Sequence, residues 1–122
     1  MRWVAMVWLV LAAQGCTLEV ICTLEFRYGL RVTAWDLPTF ELVDSTLTGI
    51  LTDGAYREVL ENGFNEAILM GAGERPGTYD IEMTAPGYRP WSRTGVEVTM
   101  DRSGCHVELT DIDAFMHRSG GT

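Results

Sequence analysis

Four segments of the chain alternate between apolar and polar residues with a period of two. They are residues 30–34, 79–83, 96–100 and 105–109. Successive side chains of a strand point to opposite faces, so this period predicts four strands that each have one buried and one solvated face. In the last segment the period places Cys105 on the inward face and His106 on the outward face.

Weaker apolar runs predict three more strands in the middle of the chain. They cover residues 46–51, 55–60 and 67–70, and Asp53-Gly54 is a hairpin signal between the first two. Residues 58–66 are also compatible with one short turn of helix. About seven short strands, with a turn every 8 to 12 residues or so, are typical of an all-β fold. We expect a seven-stranded, antiparallel, immunoglobulin-like β-sandwich.

The first fifteen residues differ from everything that follows. One positive charge at Arg2 precedes eleven uncharged residues, 3–13. As a helix this run reaches only about 16 Å, whereas a bilayer core of about 30 Å needs nearly twice as many residues. The run is too short to span a membrane and has the build of a signal peptide, residues 1–15.

Ala13, Gln14 and Gly15 lead directly into Cys16. A cysteine at this place resembles the lipobox of bacterial lipoproteins. The resemblance implies that the chain is cut before Cys16, that Cys16 is acylated, and that residues 16–21 are a short tether to the membrane. Because Thr17 is not Asp, it also implies the outer membrane if the host has one. Two alternatives remain: an ordinary secretory signal with Cys16 free or paired, and a buried N-terminal helix.

The chain has three cysteines, Cys16, Cys22 and Cys105. If lipid occupies the first, the other two form an even pair, and thiols outside the cytosol tend to be oxidised. We therefore predict a disulfide between Cys22 and Cys105. The alternative is a metal site that uses Cys105 and His106. Neighbouring residues of a strand point to opposite faces, so we expect no metal.

Charge limits the partners of the exported part. All 17 acidic residues and 8 of the 9 arginines follow residue 15, which gives a net charge of 8 − 17 = −9. An acidic domain repels phosphate backbones and anionic lipid, so we expect no nucleic-acid partner and no electrostatic membrane docking.

The segment Gly77–Tyr88 reads GTYDIEMTAPGY. It resembles the carboxypeptidase regulatory-like domain, in which G-x-Y opens an alternating strand that ends in a G-Y turn. Residues 30–36 resemble that family's first strand. The resemblance covers about residues 22–116 and implies a transthyretin-like sandwich, with residues 117–122 as a flexible tail. It also implies a non-catalytic envelope module without a common ligand.

Catalytic residues are scarce. The only histidines are His106 and His117, and no G-x-S-x-G motif occurs. Asp111 and Asp113 lie on one face of a strand, most simply as a solvated polar face. A transthyretin-like hydrolase of 5-hydroxyisourate would need a histidine near the start of the domain, and none is present. We expect no enzyme and no cofactor.

Two kinds of binding protein remain. The first is a non-enzymatic lipoprotein module that binds an envelope protein or glycan, or that serves as a structural subunit. The second is an exported protein that binds a small molecule or an ion. For a sugar, Trp35, Tyr88 and Trp91 are the candidate aromatic patch, although such residues often only cover a core.

Overall fold

A computed structural model describes residues 21–120, which form an all-β sandwich of two four-stranded sheets. The expected signal peptide, Cys16 and most of the expected tether lie outside the described residues. The strands are β1 (Tyr28–Asp36), β2 (Thr48–Asp53), β3 (Tyr56–Val59), β4 (Glu61–Asn62), β5 (Ile68–Gly73), β6 (Gly77–Thr84), β7 (Trp91–Val98) and β8 (Thr110–Met116). The expected fold class is confirmed. Six of the seven predicted strands are present, and the sequence pattern did not predict β4 or β8.

The strand order is β4-β5-β1-β8 in the first sheet and β3-β2-β6-β7 in the second. One pair departs from the antiparallel prediction, because β8 runs parallel to β1 from Leu30↔Thr110 to Asp36↔Met116. The last strand enters the first sheet after β7 has closed the second. Its direction is therefore set by the crossing between the sheets and not by a hairpin.

The core lies between the sheets and follows the predicted alternation. On β6, for example, Tyr79, Ile81 and Met83 are buried while Thr78, Asp80 and Glu82 are exposed. Leu30, Val32 and Ala34 of β1 face them from the first sheet. Each strand therefore gives one face to a shared apolar layer, whose burial is the main favourable term in folding.

The predicted hairpin is present. β2 and β3 pair from Ile50↔Val59 to Asp53↔Tyr56, and Gly54 has a φ of +58°, which glycine adopts without steric cost. The short helical turn suggested for residues 58–66 is wrong. These residues belong to β3, β4 and the loop before β5, because Glu61 and Asn62 pair with Met70 and Leu69.

Residues 105–109 do not form the predicted strand. Val107 makes only an isolated bridge to Met100, and Leu109 is exposed. The orientations expected for Cys105 and His106 are wrong as well. Cys105 is only partly buried and His106 is 7% exposed, because the turn before them, with Gly104 at a φ of +71°, breaks the alternation.

The two ends of the sandwich differ. The disulfide end holds the start of β1, the β5–β6 turn and residues 99–109. The distal end holds the close of β1 and β8 and the loops 37–47 and 85–90. The nine residues of β1 separate the ends by about 26 Å at roughly 3.3 Å per residue.

Candidate functional site

A disulfide joins Cys22 to Cys105, as predicted, across a sequence separation of 83 residues. Cys22 precedes β1 and belongs to no strand, and Cys105 lies in the loop between β7 and β8. The bond therefore fastens an irregular segment, residues 21–27, to the body of the sandwich. A disulfide also indicates an oxidising, exported environment.

A hydrogen-bonded relay of three side chains, Thr23, His106 and Glu74, also attaches residues 21–27 to the sandwich. His106 Nε2 lies 2.9 Å from Thr23 Oγ1, and His106 Nδ1 lies 2.7 Å from Glu74 Oε1. The ionised Glu74 carboxylate only accepts hydrogen bonds, so Nδ1 of His106 carries the proton of that contact, and Nε2 is the ring atom that contacts the Thr23 hydroxyl. The burial of His106 is thereby explained, since both ring nitrogens have partners.

Glu74 is the centre of this attachment. Its Oε1 also accepts the backbone N–H of Arg27 at 2.8 Å, and its φ of +49° turns the chain between β5 and β6. The hydrogen bond from His106 holds the pKa of the Glu74 carboxyl below its usual range, against the opposing effect of burial. Glu74 thus binds both the start of β1 and the loop that carries Cys105.

A hydroxyl, an imidazole and a carboxylate in this order also occur in hydrolases, where the imidazole activates the hydroxyl. The His106 side chain is only 9% exposed here. A groove nearby is lined by neither Thr23 nor His106. The arrangement therefore suits attachment of residues 21–27 better than attack on a substrate.

The groove lies on the outer face of the first sheet and has a volume of about 630 Å³. Its apolar and aromatic walls include Tyr28, Phe64 and Met70. Arg31 lies in the same lining, and its Nη2 donates to Asp111 Oδ2 at 2.8 Å. The groove can thus offer aromatic surface beside a guanidinium group.

The three residues of the predicted aromatic patch all lie at the distal end, but on different faces. Trp35 is on the outer face of the first sheet, where its Nε1 donates to Asp113 Oδ1 at 2.9 Å. Tyr88 and Trp91 are partly buried against the core. Asp111 and Asp113 share one outer face. Asp111 accepts a hydrogen bond from Arg31, and Asp113 accepts one from Trp35.

Asp36 closes the distal end. It is buried, and it accepts hydrogen bonds from the Thr39 and Tyr88 hydroxyls and from Arg118 Nε and Nη2, at 2.6–3.0 Å. The Arg118 guanidinium, followed by Thr39, holds the pKa of the Asp36 carboxyl well below its usual range. The tail beginning at residue 117 was expected to be flexible. In the described part of this tail, Arg118 binds Asp36 and the Ser119 N–H donates to the Gly87 carbonyl.

The sequence pattern did not identify the residues that attach the segment 21–27 at the disulfide end, or those that attach Arg118 at the distal end. Asp36 did carry a signal, since it continues the inward positions of Leu30, Val32 and Ala34 and a buried charge requires a partner. Arg118 lies 82 residues away, and no local pattern connects it to Asp36. Thr23 and Glu74 carried no signal, because both lie in irregular segments.

Within residues 21–120, no three His, Cys, Asp or Glu side chains are grouped so as to hold a metal ion. The described residues contain no helix that is long and apolar enough to cross a membrane. No protein-family model matches the chain, and no curated protein matches its sequence.

Proposed function

We propose that this chain is a non-enzymatic module of the bacterial cell envelope that binds a protein or glycan partner. In this proposal residues 1–15 direct export and are removed, and acylated Cys16 holds the module at a membrane, the outer one if the host has two. The observation that carries the proposal is the Cys22–Cys105 disulfide. Such bonds form and persist outside the reducing cytosol.

The cysteine count supports the lipid anchor. The disulfide uses two of the three cysteines and leaves Cys16, the one that directly follows the apolar segment. Several acyl chains on one residue hold a protein stably at a membrane, since each buried CH₂ contributes about 0.8 kcal/mol and a single chain binds only marginally.

The sandwich supports a binding role in place of catalysis. The most enzyme-like group of side chains is the Thr23–His106–Glu74 relay, and its imidazole is enclosed. The outer face of the first sheet offers Trp35, Phe115 and the groove around Tyr28 to a partner. A likeness to the carboxypeptidase regulatory-like domain, carried by Gly77–Tyr88, is part of this proposal and agrees with a module that has no catalytic set.

The groove favours a second candidate function, the binding of a small molecule. Its volume falls inside the range of about 300–1,000 Å³ common for ligand sites, and it combines apolar walls with Arg31. Titration of the ¹⁵N-labelled protein with glycan fragments tests this function. Changes in amide chemical shift confined to residues 27–31 and 107–109 would support ligand binding in the groove, whereas unchanged spectra at millimolar ligand would reject it.

The intact mass of protein purified from native membranes tests the main proposal. We expect residues 1–15 to be missing, a lipid-sized mass on Cys16, and two cysteines that alkylate only after reduction. An intact N-terminus with three freely alkylating cysteines would contradict both export and anchoring.

A further inference from the structure

Three apolar side chains stand exposed immediately before β1. Ile21 is 88% exposed, Leu24 is fully exposed and Phe26 is 61% exposed. Leu24 and Phe26 flank Glu25, so apolar side chains dominate this short surface, which we call the apolar rim. Removing such groups from water is favourable, and an exposed apolar cluster of this kind marks a contact site.

The apolar rim is held firmly in place. Cys22 is bonded to Cys105, Thr23 binds His106, and the Arg27 N–H binds Glu74. Phe26 lies over Gly73, where its ring fills the space that any added side chain would occupy. The rim therefore projects from the disulfide end at a fixed place, which an unattached segment would not do.

The position of Cys16 limits what can meet this rim. Six residue steps separate Cys16 from Cys22, and an extended chain covers at most about 3.5 Å per step, or roughly 20 Å in all. An acylated Cys16 thus keeps the disulfide end at the membrane surface. Rotation about the tether decides which face of the sandwich meets the lipid, and the exposed apolar side chains favour the rim.

The charges near the rim permit this contact. Glu25 is paired with Arg27 at 3.1 Å, and the Glu74 carboxylate binds the Arg27 N–H and His106. Asp101 and Glu108 line the groove beside Glu25 and Arg27. These groups form no basic patch that would select anionic lipid. The rim is suited to zwitterionic lipid, which requires no positive patch.

We infer that the disulfide end rests on the bilayer, with Ile21, Leu24 and Phe26 inserted at the boundary between headgroups and acyl chains. The inference rests on the proposed lipid anchor at Cys16 and adds an orientation to it. The distal end, with Trp35, Tyr88 and Trp91, then points away from the membrane toward the partner.

The tryptophans of the chain make the orientation measurable. After cleavage at Cys16 the remaining ones are Trp35 and Trp91, and both lie at the distal end. Brominated acyl chains quench tryptophan only at short range. The wild-type domain therefore reports on the end that faces away from the lipid.

The acylated protein is reconstituted into phosphatidylcholine vesicles with and without brominated chains. Leu24→Trp and Phe26→Trp introduce probes in the rim, and Leu24 is so exposed that its replacement leaves packing intact. Phe40→Trp is the matched control, because Phe40 is a similarly exposed phenylalanine (65%) at the distal end. We expect several-fold stronger quenching in the two rim variants than in wild type or Phe40→Trp.

Equal quenching in all four proteins would overturn the orientation. The orientation would also be overturned if the rim probes were not quenched by brominated lipid but were protected from acrylamide in native membranes and not in vesicles. Such protection would mean that a protein covers the rim. The intact mass of the same samples separates the two proposals. Acylated protein without rim quenching refutes only the orientation, and protein without acyl chains refutes the anchor and the orientation together.

Discussion

Removal of the disulfide tests how this small sandwich remains folded. The perturbation is the double substitution Cys22→Ser and Cys105→Ser. For a sequence separation of 83 residues, the loop-entropy relation predicts a loss of about 4.5 kcal/mol. Domains of this size have free energies of unfolding of about 5–15 kcal/mol. The bond therefore provides a large share of the total stability.

A second loss follows from the surroundings of the bond. Without it, residues 21–27 remain attached mainly by the Thr23–His106 and Arg27–Glu74 hydrogen bonds. Each such bond contributes only about 0.5–1.5 kcal/mol net. We expect the segment to detach before the core unfolds, so that the amide of Arg27 exchanges faster than amides of β6.

Equilibrium urea denaturation, followed by the emission of Trp35 and Trp91, measures the effect. Wild type in reductant is the matched control and should unfold at the same urea concentration as the double variant. Cys16→Ser should leave the midpoint of the domain unchanged. A double variant with the midpoint of oxidised wild type would refute the argument, because it would show that the bond does not restrict the unfolded chain.

Three further predictions concern the core and the distal end. The pKa of Asp36 is lower in the folded than in the unfolded chain, chiefly because of Arg118. The ionised Asp36 carboxylate therefore stabilises the fold at pH values above the unfolded pKa of about 4. This stabilisation is lost as the pH falls through the lower, folded pKa. Asp36→Asn should therefore lower the urea midpoint at neutral pH and flatten its decline in acid; an unchanged acid slope would contradict this. Gly71→Ala should lower the free energy of unfolding by about 1–3 kcal/mol in urea, since the added Cβ would overlap Leu60 Cδ2; a neutral effect would show that the Leu60 side chain moves aside freely. Leu51→Ala, at a fully buried site, should cost about 2–5 kcal/mol in the same assay, and a loss below that range would mean that the core collapses around the gap.

The proposed orientation on the membrane and the stability of the domain both depend on the Cys22–Cys105 bond. Reduction should weaken both, because the apolar rim keeps its place through Cys22. In acylated protein, reductant should therefore reduce the lipid quenching of Leu24→Trp at urea concentrations where the core is still folded. Persistent quenching would indicate that the hydrogen bonds to His106 and Glu74 are sufficient to hold the rim.

The amino-acid sequence by itself determined the local features of this protein. The alternation on β6 identified Tyr79, Ile81 and Met83 as core residues, because side chains of a strand alternate between faces whatever the strand pairs with. Asp53-Gly54 located a hairpin, because a two-residue turn is a local conformation. The cysteine count identified the disulfide, because the expected use of Cys16 left only one pair.

Only the tertiary structure decided which distant residues meet. The parallel pairing of β8 with β1 depends on how the chain crosses between the sheets, and alternation carries no information about strand direction. The contact of Asp36 with Arg118 joins residues 82 positions apart. The burial of His106 depends on a turn that shifts the alternation and on Glu74 in another loop. Each of these is a long-range contact formed when the loops close, so no local pattern contains it.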